Sequence, residues 1–329
     1  MNKMTELFMS TDPLGVATDD VYKSWAETVL PVYENNTILF AIIAGLYLPI
    51  VFQLKDIMEA AYPGDPRKNK ELQALDKKVL KLPLVLWNFG LAFFSMWGAY
   101  HLVPHVLQRL ESRTYVEAIC DESCYNHPVA MVVLYFNISK MPEFVDTIFL
   151  RLRKRPVIFL HWYHHIVTML YCWYANQIGI QFNCTGMFFA SMNLSVHSVM
   201  YVYYGVAALG YAKAMAKMNL NIILTTGQII QMVGGIYILI KSTDCTKFDS
   251  KGFTVATIMY SSYFLLFSRL FYDKYVAAKE TKKDALKAAG KDEDAKKKRA
   301  PHAMSTRSAT RARDTPAVVK KDTKKDKTK

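Results

Sequence analysis

The segment RLRKRPVIFLHWYHHIVTMLYCWY, Arg151 to Tyr174, places His161, His164 and His165 in an apolar run directly after a basic cluster. Imidazole loses favourable hydration when taken out of water, so a membrane helix excludes it unless it has a partner or a task. At 100° per residue the three fall within an arc of about 100° and share one helical face. Imidazoles gathered on one face can move protons, act as nucleophiles or bind a metal. Counted from Pro156 at about 1.5 Å per residue, they lie roughly 8–14 Å inside the span.

Other polar residues sit at matching depth. NISKMPEFVDTIF brings Lys140, Glu143, Asp146 and Thr147 within roughly 6–17 Å of its basic end near Arg151. NLSVHSVMYVYY carries His197, Met200, Tyr201 and Tyr204 on one face, and TTGQIIQM spaces Gln228 and Gln231 three residues apart. Taken singly these have plain structural readings. An intramembrane His or Gln is commonly a hydrogen bond between helices, Lys140 with Glu143 an ion pair that holds register, and a tyrosine a packing residue with a satisfied hydroxyl. Four segments that place polar groups in the same half of the membrane, with three histidines beside carboxylates, point instead to one interior site.

The elements that must position these residues follow from hydropathy. The chain has 329 residues, 52% of them hydrophobic, yet its mean hydropathy is only +0.06 because apolar runs alternate with charged loops and a polar tail. Seven candidate membrane helices are expected, at about 36–54, 83–104, 128–150, 157–176, 183–208, 218–240 and 253–274. The fifth is interrupted by Asn193, Ser195 and His197, which again suits a face turned to the bundle interior. The fold class is all-α: a polytopic membrane protein of seven transmembrane helices with a disordered basic C-terminal tail. The domains are a lumenal arm over 1–32, a catalytic membrane domain over 33–275 and a cytosolic tail over 276–329.

From Lys279 onward the tail contributes +10 of the net +13 charge. It lacks interleaved aromatics and any nucleic-acid-binding motif, so an anionic membrane surface suits it better than nucleic acid. Met1 to Pro31 is mixed and mildly acidic, with no cleavable signal peptide, and the first span is expected to direct insertion itself. The loop PGDPRKNKELQALDKKVLK, the RLRKR loop, Lys213 with Lys217 and the tail are basic, whereas Glu111, Glu117, Asp121, Glu122 and Asp244 mark the alternate loops. The positive-inside rule puts the N-terminus in the lumen and the C-terminus in the cytosol. Cys120, Cys124 and Cys245 then fall in lumenal loops, where a bridge between two of them is permitted. Cys172 and Cys184 read as small buried hydrophobes.

In order along the chain, KMPEFVDT, HWYHH, HSVMYVYY and TTGQIIQ resemble the four motifs of the ELO family of very-long-chain fatty acid elongases: K-x-x-E-x-x-D-T, H-x-x-H-H, H-x-x-M-Y-x-Y-Y and T-x-x-Q-x-x-Q. The likeness covers residues 33–275, and the HWYHH form is similar to the saturated and monounsaturated type. It implies an endoplasmic reticulum enzyme, an acyltransferase of the 3-oxoacyl-CoA synthase type. Such an enzyme condenses long-chain acyl-CoA with malonyl-CoA, giving 3-oxoacyl-CoA, carbon dioxide and CoA in fatty acid biosynthesis. No cofactor is implied, since both CoA thioesters are substrates. The implied partners are the 3-ketoacyl-CoA reductase, 3-hydroxyacyl-CoA dehydratase and enoyl-CoA reductase of the cycle, with membrane lipid and, as an open matter, a second copy of the chain.

On this resemblance His164 is the expected nucleophile, forming an acyl-imidazole, and His161, His165 and His197 assist. The enolate left by decarboxylation needs donors from these imidazoles or from Gln228 and Gln231. Lys140, Arg153, Lys154 and Arg155 are expected to meet CoA phosphates at the cytosolic mouth, with Glu143, Asp146, Thr147, Tyr201 and Tyr204 in support. The family arrangement implies a Cys120–Cys245 bridge, with Cys124 as competitor. Lys325 and Lys327, in the terminal KDKTK, resemble a dilysine retrieval signal. Two other readings compete. One is a di-iron histidine-box desaturase or hydroxylase, whose H-x-x-x-H box is mimicked by His101 and His105 in HLVPH. The other is a seven-span receptor or transporter. Span two carries the His101 pair to the end opposite His164, which disfavours the first, and the second leaves the histidine cluster unexplained.

Overall fold

The computed structural model describes residues 27, 28, 31, 35–121, 129–177, 184–246 and 248–281. Their regular structure is all helical, with no strand among them. The chain divides into two compact units, Met1–Tyr272 and Asp273–Lys329. In the second unit the described residues, 273–281, are helical, and Lys325 and Lys327 lie outside the described residues.

In the first unit, helix α1 spans Thr37–Ala61 and α2 spans Lys70–Ser112. Helix α2 is longer than the expected span 83–104, because the basic loop before it is itself helical from Lys70 onward. Asn69 starts it by accepting from the Leu72 N–H at 2.9 Å, and a π-type turn over Asp76–Leu80 adjusts its register. At 43 residues it is about 65 Å long, about twice the hydrocarbon thickness, so it projects beyond the membrane. The short α3, Tyr115–Cys120, opens with a capping box between Thr114 and Glu117. The Thr114 backbone N–H, and then its hydroxyl, hold the Glu117 carboxyl below the usual carboxylate range.

The expected third span, 128–150, is two helices rather than one: α4, Val129–Ser139, and α5, Val145–Leu152, with a tight turn at Pro142–Phe144 between them. Proline offers no N–H, and Lys140 and Met141 bond back to Asn137 and Ile138, which winds the chain more tightly here. Helices α6, Phe159–Gln177, and α7, Thr185–Val206, follow. The short α8, Ala212–Lys217, comes after a turn in which Gly210 takes φ +120. Helix α9 is Leu220–Ser242, and α10, Ser250–Phe271, is capped by the Asp249 carboxylate. By length and apolarity alone α1, α2 and α9 suffice to cross a membrane. Helices α4 and α5, at 11 and 8 residues, are each too short to count alone, and the polar residues of α6 and α7 dilute the signal there. Ile38, Ile42 and Leu46 on α1, and Ile223, Ile230 and Val233 on α9, are exposed as lipid-facing residues would be. The protein is a multi-pass membrane protein.

Close helix approach is set by small residues. A Cβ at Gly98 of α2 would come within 2.7 Å of Leu194 on α7, and one at Gly235 of α9 within 2.2 Å of the Tyr260 ring on α10. Helix α1 packs on α5, with Tyr47 stacked on Phe144 at 4.0 Å between ring centroids. Away from these contacts, a disulfide joins Cys120 at the end of α3 to Cys245 between α9 and α10, with Cα atoms 5.2 Å apart. Cys184 corrects the sequence reading: it is disulfide-bonded rather than a free buried thiol, whereas Cys172 is free and buried. Cys124 lies outside the described residues.

Candidate active site

Helix α6 carries the three histidines on one side, as 3.6-residue periodicity requires. The rings of His161 and His165 lie 4.4 Å apart and those of His164 and His165 5.7 Å. They differ in what holds them. His161 Nε2 is 2.9 Å from the Thr147 hydroxyl of α5, which is 2.8 Å from the Tyr47 hydroxyl of α1. His165 is buried, and its Nδ1 has no hydrogen-bond partner among the described residues. The His164 ring makes no hydrogen bond to any described residue and is only partly buried. Tyr263 of α10 lies 5.0 Å from that ring, bonds to the Thr168 hydroxyl at 2.9 Å, and donates to the His164 carbonyl at 3.3 Å.

The break between α4 and α5 brings a closed polar circuit to the same region. Lys140 Nζ donates to Glu143 at 2.6 Å and to the Asn193 side-chain carbonyl at 3.4 Å. The Asn193 amide approaches His197 Nε2 at 3.3 Å, and His197 Nδ1 lies 4.0 Å from the Glu143 carboxylate. An amide N–H must donate, so His197 Nε2 accepts and its Nδ1 carries the proton toward Glu143. The break between α4 and α5 is thereby tied to α7 through four side chains.

Asp146 has a different task. One carboxylate oxygen accepts from the Trp87 indole N–H at 2.7 Å and the other from the Tyr201 hydroxyl at 2.9 Å. Both oxygens are engaged, so Asp146 joins α2, α5 and α7 as a strut. On α9, Gln228 donates to the Met200 thioether at 3.4 Å and Gln231 is buried.

Several sequence-derived positions come out differently. Lys140 is not at a polar mouth: it is 2% exposed and committed to Glu143 and Asn193. Arg153 forms a two-bond pair with Asp76, at 2.7 and 3.0 Å, and Lys154 bonds Glu59 and the carbonyls of Tyr62 and Gly64. Both therefore pin the loop after α5 to the ends of α1 and α2, which accounts for the left-handed φ of 50 at Lys154. Arg155 is exposed. Tyr204 is 44% exposed, with Tyr201 and Tyr203 as ring neighbours, so it stands outside the buried cluster. Sequence reasoning missed Tyr47, Trp87 and Tyr263 and took Asn193 only as an interruption of a span. Each sits in an apolar helix remote in sequence from its partner.

Comparison with known proteins agrees with this geometry. The chain is 35% identical over 260 residues to very long chain fatty acid elongase 4 of Trypanosoma cruzi, covering 76% of this chain and 84% of that one. It is 38% identical over 204 residues to very long chain fatty acid elongase 6 of Gallus gallus, covering 60% and 74% of the two chains. Fatty acid elongase 3 of Trypanosoma brucei brucei is 37% identical over 234 residues, covering 61% and 76%. Residues 32–283 match the family model described as ELO: GNS1/SUR4 family, and with most of the chain and its four polar motifs inside that match, the chain belongs to this family.

Proposed function

We propose that this protein is a fatty acid elongase, a 3-oxoacyl-CoA synthase that condenses acyl-CoA with malonyl-CoA through an acyl-imidazole on His164. The family and the names of its relatives support the reaction class. One observation carries the assignment of the nucleophile. In a cluster where His161 and His197 are hydrogen-bonded and His165 is buried, the His164 ring is half-buried and hydrogen-bonded to no described residue.

A ring nitrogen of His164 attacks the thioester carbonyl. The C–S bond breaks, CoA leaves as thiolate and takes up a proton, and the acyl group rests on the imidazole. Malonyl-CoA then loses carbon dioxide, and the electron pair of the broken C–C bond becomes an enolate. The enolate carbon attacks the acyl carbonyl, a new C–C bond forms, and His164 is released with a 3-oxoacyl-CoA two carbons longer. Charge develops on the enolate and tetrahedral oxygens, and fixed donors in a dry site stabilise it most. The other imidazoles and the Lys140–Asn193–His197–Glu143 circuit supply that environment. Arg155, exposed beside the tethered Arg153 and Lys154, meets CoA phosphates. The acyl chain runs along apolar faces deeper in the bundle.

Seven spans carry this site, α4 and α5 together making the third. Positive charge on the loops that include Arg153 to Arg155 orients this end to the cytosol and the N-terminus to the lumen of the endoplasmic reticulum. Reduction and dehydration of the product fall to the other enzymes of the cycle, and no cofactor is needed for the condensation. The test is purified protein with labelled malonyl-CoA and a panel of acyl-CoA lengths, with and without a chelator. Condensation indifferent to chelation is expected. Absence of condensation, or its loss on chelation, contradicts the reading.

A further inference from the structure

We propose that Tyr47 is a positioning residue that fixes His161 in the tautomer bearing its proton on Nδ1. Tyr47 lies on α1, a helix that contributes none of the four motifs, and its side chain is fully buried with the ring stacked on Phe144. Its hydroxyl meets Thr147, and Thr147 meets His161 Nε2, at 2.8 and 2.9 Å. Neither Tyr47 nor Thr147 has another side-chain hydrogen-bond partner among the described residues.

The polarity of this chain follows from counting protons. Each hydroxyl has one hydrogen to donate and lone pairs to accept with. If Tyr47 donates to Thr147 and Thr147 donates to His161 Nε2, both hydroxyl hydrogens have acceptors. If His161 instead donated from Nε2, Thr147 would either donate back to Tyr47, stranding the tyrosine hydrogen, or strand its own. A buried hydrogen without an acceptor is the costlier state. In the first arrangement the hydrogen left over is the Nδ1–H of His161, on a half-buried ring and not among the enclosed polar atoms that lack a partner, whereas in the other it lies on the fully buried Tyr47 or Thr147; the first therefore holds, with the Nε2 lone pair occupied and the ring proton on Nδ1. His161 is left as an N–H donor beside His165, its ring 4.4 Å away, rather than as a base. The second half of the inference, that this donor serves catalysis, rests on the condensation reading. The tautomer does not.

The experiment uses full-length protein labelled with ¹⁵N in the histidine rings, the His161 signals being identified by their loss in His161→Gln. In the unmodified protein His161 Nε2 is expected to be unprotonated and Nδ1 protonated. Tyr47→Phe keeps the ring stack, removes the hydroxyl and admits the Nε2–H form. Thr147→Val shifts the tautomer further, and Thr147→Ser restores it. A His161 proton on Nε2 in the unmodified protein, or a tautomer unmoved by both Tyr47→Phe and Thr147→Val, overturns the proposal. In turnover, Tyr47→Phe is expected to lower kcat about two- to tenfold with KM unchanged, and to add nothing in a Thr147→Val background. A shifted tautomer with unchanged kcat overturns the catalytic half alone, whereas absent condensation in the unmodified protein counts against the elongase reading and leaves the tautomer standing.

Discussion

At the scale of single residues, the four imidazoles of the site divide by what surrounds them. Thr147 and Asn193 occupy nitrogens of His161 and His197, burial isolates His165, and the His164 ring is hydrogen-bonded to no described residue. Clustering on one face was legible from the HWYHH spacing, because helical periodicity alone dictates it. The division was not, because the Thr147 that meets His161 is held by Tyr47, 100 residues away, and the Asn193 that meets His197 by Lys140, 53 residues away, and helix packing decides both approaches. Lys140 illustrates the point: its charge suggested a phosphate, but the chain break at Pro142 turns it inward to Glu143. Breaking that pair leaves an unmatched buried charge. Glu143→Ala is expected to cost about 3–5 kcal/mol in thermal unfolding of the detergent-solubilised protein, and the Lys140→Met/Glu143→Leu double variant markedly less. Equal losses in the two would show that the charge is not isolated by burial.

Among the elements, the break between α4 and α5 and the glycine contacts of α9 determine where the polar faces meet. Hydropathy located a helix near each expected span, since apolar runs bounded by charge leave little choice. It could not foresee that span three breaks or that α2 runs 43 residues, because polar but helix-compatible sequence such as KELQALDKKVL is silent about length. Gly235 carries a consequence for the bundle: its hydrogen is all that fits against Tyr260. Gly235→Ala should destabilise the protein by about 1–3 kcal/mol, read as a fall in melting temperature, and Tyr260→Leu in the same chain should recover part of it. A neutral Gly235→Ala would mean that α9 and α10 separate at little cost.

For the whole molecule, the polar cluster lies toward one end of the bundle and the Cys120–Cys245 bridge ties α3 to the loop joining α9 and α10 at the other. A bridge closing a loop of sequence separation 125 restricts the unfolded chain, and its removal by Cys120→Ser/Cys245→Ser is expected to cost about 2–5 kcal/mol. Non-reducing peptide mapping checks the pairing directly. Under the proposed orientation the tail is cytosolic. If Lys325 and Lys327 act as the retrieval signal they resemble, changing both to Ser should release the protein toward later secretory membranes with condensation intact, as fluorescence microscopy would register; unchanged reticular localisation would assign retention to the spans or to partner enzymes.

The central claim is that acyl transfer to His164 precedes condensation. Purified protein incubated with a long-chain acyl-CoA and no malonyl-CoA should release about one equivalent of free CoA per active site and gain one acyl mass on the peptide containing His164. His164→Ala should do neither while retaining a normal melting profile. CoA release that strictly requires malonyl-CoA, an acyl mass on another residue, or near-normal turnover by His164→Ala would contradict the account.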